Sequence, residues 1–280
     1  MTAPAITRAD ALQPVLVASH PRSGTHLAMD FLRRQFPSLA NWRYWGLPLD
    51  HLYLNLERLG AQDRRFSEDL ARRIVNRPRR ALLKTHFQAD FGSSWQPEES
   101  APPNGPWRDL ADHAQTIYIV RHPMNVMTSY HQFLSGIDPS RYATGFMQFL
   151  ESDHWDASTD RLGWWERHVV DWTARPGTLV IRYEDVVKRP EATMRNLAEV
   201  LGERPANRMP PMPPKVSSIT RTRFSRLLNL SPQSTAIVAE RSRFPALDWR
   251  KELGAEERAK LAERLRPLLT RFDYSLEPPA

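Results

Sequence analysis

Four short apolar runs, each followed by a helical pattern, constrain the fold of this chain more than any other feature. They are Val15 to Ser19 (VLVAS), Ala81 to His86 (ALLKTH), Thr116 to Arg121 (TIYIVR) and Thr178 to Tyr183 (TLVIRY). Runs that are apolar almost throughout, without polar alternation, suit strands buried on both faces of a sheet. Helical spacing follows over His26–Phe36, Pro123–Phe133, Leu162–Trp172, Pro190–Leu201 and Ala255–Phe272. In the last of these, Leu261, Leu265, Leu268, Leu269 and Phe272 form one stripe that packs on the core. Strand then helix, repeated, predicts a three-layer α/β fold with a mainly parallel central sheet flanked by helices.

The 280 residues are enough for one large core, and we read residues 1–280 as a single domain with a flexible N-terminus over 1–12. Two Pro-rich stretches, 97–106 and 203–214, read as loops, because clustered proline removes backbone donors and disfavours helix in the preceding residue. No internal repeat is visible, which argues against a solenoid or propeller. The chain has no cysteine, which excludes disulfides, cysteine-ligated metals and thiol catalysis. With no signal-peptide pattern at the start, and no apolar run near the roughly 18 residues of a spanning helix, a cytoplasmic protein is expected.

The formal charge of +7 is compatible with a nucleic-acid binder or with an enzyme for anionic substrates. Its cations are mostly scattered arginines that read as solvated surface, with short clusters at Arg77–Arg80 and Arg221–Arg223 and no aromatic ladder beside them.

Chemistry concentrates at the strand ends. The first strand runs into His20-Pro21-Arg22-Ser23-Gly24-Thr25-His26-Leu27, and a helix then opens. A helix start offers unpaired N–H groups and a positive dipole end; Gly24 admits an anion close to the backbone, Ser23 and Thr25 add hydroxyls, and Arg22 adds a bidentate cation. The spacing is not G-x-x-x-x-G-K-[ST], so the magnesium-positioning arrangement of nucleotide hydrolases is missing. The second strand ends in Lys84-Thr85-His86, a cation beside a side chain suited to proton transfer near neutral pH. The third ends in Arg121-His122-Pro123, with Ser129 two helical turns on. In open α/β sheets ligands bind at this edge.

The order PRSGTHL, KTH, IVRHPMNVMTSY, VIRYEDVVKRPEATMRNLAEVLG resembles the sulfotransferases that use 3′-phosphoadenosine 5′-phosphosulfate (PAPS), over about Val15 to Leu201, with a weaker match at RSRFPALDWRK. The resemblance implies that Arg22, Ser23, Gly24, Thr25 and His26 grip the 5′-phosphosulfate, and that Arg121 and Ser129 hold the 3′-phosphate. It further implies that Tyr183 contacts the adenine, that Arg241 or Arg243 is a further 3′-phosphate ligand, and that His86 is the catalytic base. By the same resemblance the fold is P-loop nucleotide-hydrolase-like, Arg22 and Lys84 stabilise charge on the leaving group, and no metal takes part. Arg22 stands where small-molecule cytosolic members carry Lys; in branches with an arginine here the base can be a carboxylate. Leu27 stands where a stacking Trp is frequent.

Trp42 to Trp45, Trp95, Tyr142 to Phe149 and Trp155 are candidates for the acceptor site, and the acceptor can be a glycan, phenol, lipid or peptide hydroxyl. Trp164 and Trp165, with Val169 and Trp172, read as core or as the face of a homodimer. Two other readings stand beside this one: a magnesium-dependent P-loop phosphotransferase, and a basic nucleic-acid-binding module.

Overall fold

The computed structural model describes residues 12–39, 53–58, 79–90, 105–154, 159–208, 212 and 247–277. Among them five strands form one parallel sheet: β1 (Val15–Ala18), β2 (Leu54–Asn55), β3 (Leu82–Thr85), β4 (Gln115–Val120) and β5 (Leu179–Arg182), in the order β2-β3-β1-β4-β5. The helices are α1 (Thr25–Gln35), α2 (Gly105–Asp112), α3 (Pro123–Ile137), α4 (Pro139–Tyr142), α5 (Phe146–Glu151), α6 (Arg161–Ala174), α7 (Tyr183–Lys188), α8 (Pro190–Leu201), α9 (Trp249–Glu252) and α10 (Ala255–Phe272).

The central strand explains the near-continuous apolar runs. All four residues of β1 are fully buried, because helices cover both faces of the sheet. Val15 and Val17 share one face with Leu82, Ile117, Ile119 and Ile181, and pack against Met29 and Leu32 of α1 and Met194 and Leu197 of α8. Leu16 and Ala18 share the other with Leu83, Tyr118 and Val120, packed with Met127 of α3, Trp165 and Trp172 of α6 and Leu265 of α10. The stripe expected on α10 is buried as a whole. Trp164, Trp165, Val169 and Trp172 are buried too, so of the two roles read from the sequence they are core.

The chain leaves β1 for β2 and β3 on one side, then crosses to β4 on the other. Every carboxyl end therefore faces one crevice flanking β1, the place where such sheets bind ligands.

Three of the four expected strands are a little long, and the one expected over Thr116 to Arg121 runs one residue earlier, Gln115–Val120. His86 ends outside β3 because its N–H bonds the Glu57 carboxylate instead of a neighbouring strand. Tyr183 opens α7, whose first turn carries Glu184 and Asp185 where the helix dipole favours acids. Proline stands at the first turn of α3 and α8, where its missing N–H costs no hydrogen bond. The loop expected over 97–106 ends earlier, since Gly105 and Pro106 start α2, and 203–208 is irregular as expected. Residues 1–11, 97–104, 209–211 and 213–214 lie outside the described residues.

Arg80, read as part of a solvated cluster, is instead a buried strut. Its guanidinium donates to the carbonyls of Gln13 and Leu201 and to Ser38 Oγ. Among the described residues no helix is long and apolar enough to cross a membrane.

Candidate active site

The loop between β1 and α1 is bent by two residues with positive φ, Arg22 (71°) and Gly24 (99°). A left-handed non-glycine costs on the order of 1–3 kcal/mol and persists where its surroundings demand it. Turns of this kind direct successive backbone N–H groups to one side, forming an anion-binding concavity. The helix that follows has no side-chain cap and no acidic residue in its first turn, so its positive end is not neutralised locally. Inside the loop, Ser19 Oγ and Thr25 Oγ1 are hydrogen-bonded at 2.5 Å. Among the described residues the buried hydroxyl of Ser23 has no partner.

Arg22 and Arg121 come together at this loop. Arg121 Nη1 donates to the carbonyl of Arg22 at 3.0 Å, and Arg22 Nε donates to Ser129 Oγ at 3.1 Å. The Arg22 guanidinium lies over the Phe133 ring at 5.0 Å. Loss of water around it, and secondly the like charge of Arg121, hold its pKa below the ordinary arginine value. Among the described residues neither arginine is ion-paired, and the buried Nε of Arg121 lacks a hydrogen-bond partner.

Tyr183 joins them from the end of β5. Its ring lies 4.4 Å from the Arg121 guanidinium and packs so closely on the loop that a Cβ at position 24 would sit 2.3 Å from Cδ2. Glycine is required at that point by the contact and by φ alike.

At the end of β3, His86 is buried and its Nδ1 lies 2.6 Å from the Ser19 carbonyl. A carbonyl oxygen only accepts, so Nδ1 carries the proton and Nε2 is the basic nitrogen. Burial, and then the positive charge of Lys84, hold its pKa well below the usual histidine value. His26, beside Tyr53, is pushed down to about 3 by loss of water, then by Lys84 and Arg22. It too is a neutral imidazole.

Lys84 is buried and its Nζ pairs with Glu57 at 2.9 Å, with Asn55 Oδ1 at 3.4 Å. Glu57 thus holds two neighbours at once, Lys84 through one oxygen and the His86 backbone N–H through the other. Sequence reasoning missed this residue. It follows a strand of only two residues, Leu54–Asn55, and the one signal was the alternation of Leu52, Leu54 and Leu56 before it.

The structure therefore brings Arg22, Ser23, Gly24, Thr25, His26, Lys84, His86, Arg121, Ser129 and Tyr183 to one end of the sheet. Arg241, Arg243, Trp42 to Trp45, Trp95 and Trp155 lie outside the described residues. Tyr142, Phe146 and Phe149, expected in an irregular acceptor segment, instead lie on the short helices α4 and α5 with their rings in the core.

The Sulfotransferase domain family matches residues 12–273. No curated protein matches the chain in sequence. Among solved structures, a retinol dehydratase in a complex with retinol and PAP is 17% identical with a TM-score of 0.50, over 96% of this chain and 84% of that one. Mouse sulfotransferase SULT7A1 complexed with PAP is 16% identical with a TM-score of 0.49, over 92% and 84%. A sulfotransferase from Alicyclobacillus acidocaldarius is 15% identical with a TM-score of 0.44, over 94% and 95%.

Proposed function

Because the chain belongs to the sulfotransferase-domain family, we propose that it moves a sulfuryl group from PAPS to an acceptor hydroxyl, with His86 as proton acceptor. One observation carries the reading of the donor site: two arginines without ion pairs among the described residues, Arg22 and Arg121, meet at an uncapped helix start where Ser23 Oγ and Arg121 Nε are buried and lack partners. Such orphaned donors are costly unless an anion completes them. A donor bearing two separate phosphate groups fits that set. Arg22, Ser23, Gly24, Thr25 and His26 would hold the phosphosulfate end, Arg121 and Ser129 the 3′-phosphate, and Tyr183 the base, with Arg241 or Arg243 a further ligand.

When bound, the donor supplies an activated sulfuryl group and a phosphate able to leave with the bond electrons. His86 has the tautomer its task requires, since the Nδ1 proton is held by Ser19 and Nε2, the nitrogen without a proton, would take the acceptor's proton. As that proton leaves, the acceptor oxygen bonds to sulfur and the bridging S–O bond breaks. Arg22, Lys84 and the loop N–H groups are the donors that would bear the developing charge, each worth roughly 3–4 kcal/mol in comparable oxyanion sites. A carboxylate base would be Glu57, but each of its oxygens is already engaged, by Lys84 and by the His86 backbone. That favours His86, with Glu57 orienting both neighbours. We propose no metal in this mechanism.

A His86→Ala variant tests the assignment. PAP affinity is expected to stay within about threefold of wild type, while turnover falls by about 10²–10⁴, the usual range for a general base. Normal turnover by this variant would move the role of base to a carboxylate.

A further inference from the structure

Behind His86 lies a buried polar network that the reaction does not itself use. Helix α6 presents His168 and, one turn on, Trp172 to the backbone leaving β3. His168 Nε2 lies 3.2 Å from the His86 carbonyl and Trp172 Nε1 donates to the Phe87 carbonyl at 2.9 Å. Since a carbonyl only accepts, His168 Nε2 carries the proton. Burial keeps the ring neutral by pushing its pKa down to about 3, so Nδ1 is an acceptor.

That acceptor meets the Tyr118 hydroxyl at 2.9 Å, which therefore donates to it. Tyr118 in turn lies on β4 in register with Ala18 of β1, the strand that runs through Ser19 into the anion-binding loop. Ser19 holds the other side of His86, its carbonyl accepting the Nδ1 proton. Every donor and acceptor on this path has one allowed direction, from His168 to the His86 carbonyl and from Tyr118 to His168. The same four residues join β1, β3, β4 and α6.

We infer that His168 is a positioning residue for His86: with Tyr118 it forms a buried hydrogen-bonded chain that fixes the His86 backbone, while the Ser19 carbonyl sets the imidazole against the start of the anion-binding loop. The inference rests on His86 being the proton acceptor proposed above. Its physical basis is that a base misplaced by about 1 Å can lose on the order of 100-fold in rate. Two donors four residues apart on one helix face, His168 and Trp172, fix the two carbonyls after β3, so removing one tilts the segment without releasing it.

The test uses the full chain and three variants: His168→Phe, which removes both hydrogen bonds; His168→Gln, whose amide can donate to His86 and accept from Tyr118; and Tyr118→Phe, which keeps the ring in the core. Three quantities are read: PAP affinity, hydrolysis of PAPS with water as the acceptor hydroxyl, and solvent exchange of the His86 Nδ1 proton by NMR, assigned by its loss in His86→Ala. The expected result for His168→Phe and Tyr118→Phe is PAP affinity within about threefold of wild type, PAPS hydrolysis down by about 100-fold, and Nδ1 proton exchange at least about tenfold faster. His168→Gln should recover most of both losses.

Wild-type exchange and hydrolysis in the two Phe variants would overturn the inference. So would parallel loss of PAP affinity that His168→Gln does not restore, which is the behaviour of a merely structural residue. If His168→Phe does not fold, Tyr118→Phe carries the same test. Should His86→Ala hydrolyse PAPS normally while the exchange result holds, the base assignment fails and the positioning geometry stands.

Discussion

Arg121 tests the site at the scale of a single side chain, because it touches two partners and still leaves one buried nitrogen unsatisfied. Its guanidinium holds the Arg22 carbonyl, lies against the Tyr183 ring and leaves Nε buried without a partner. Arg121→Ala is therefore expected to weaken PAP binding by about 3 kcal/mol, roughly 150-fold, as truncation of one member of a buried charge pair usually does. Calorimetric titration with PAP checks it. A loss below about threefold would place the 3′-phosphate elsewhere. Ser129 is engaged by Arg22, so its removal should cost less than loss of the charge.

At the scale of elements, the turn from β1 into α1 depends on one glycine. Gly24→Ala would set a Cβ against Tyr183 at 2.3 and 2.8 Å while keeping φ at 99°. Strain of about 1–2 kcal/mol from the backbone and about 1–3 kcal/mol from overpacking should lower stability, and displacing Tyr183 from Arg121 should lower PAP affinity. Gly177→Ala is the control, having φ of 74° and open space around it. It should show the backbone strain alone, with PAP binding unchanged. Denaturant midpoints and PAP titrations of both variants check the contrast.

Much of this element-level arrangement was legible in the sequence, and for a physical reason. A strand buried on both faces must be apolar throughout, so β1, β3, β4 and β5 announce themselves, and the residues just after a buried strand must sit at its exposed end. That placed Arg22, His86 and Arg121 together from the sequence alone, and the family resemblance added Tyr183. Glu57 escaped because it follows a strand of two residues, and the short alternation of Leu52, Leu54 and Leu56 marks a strand without marking the acid after it. His168 escaped because a histidine at helical spacing among tryptophans looks like ordinary core, and its hydrogen bonds are long-range. The acceptor side was misread at Tyr142 to Phe149, where aromatic content suggested a binding loop and the residues instead fill the core from two short helices.

The whole molecule carries an unusual load of neutral histidine. Burial is the leading cause that lowers the pKa of His20, His26, His86, His122, His131 and His168, the second and last to about 3. In the unfolded chain each returns to about 6.5. Below that pH the unfolded state binds protons that the folded state refuses, so stability is complete above about 6.5 and is lost as pH falls toward the folded-state values. Each such histidine contributes up to about 1.4 kcal/mol per pH unit. The denaturant midpoint should be flat above about pH 7 and decline steeply below it, before carboxylates begin to titrate. A midpoint unchanged between pH 7.5 and 5, both about one unit or more from the free value, would mean that these imidazoles accept protons in place.

The claim that binds these scales together is that one end of the sheet is built for a donor carrying a 3′-phosphate as well as a 5′ anion. Calorimetric titration of the protein with PAP, ATP and ADP in the presence of chelator tests it most directly. The account predicts PAP binding without metal and a preference over ATP and ADP of at least about tenfold, or roughly 1.4 kcal/mol. Failure to bind PAP, or binding that needs magnesium and favours ATP, would contradict it.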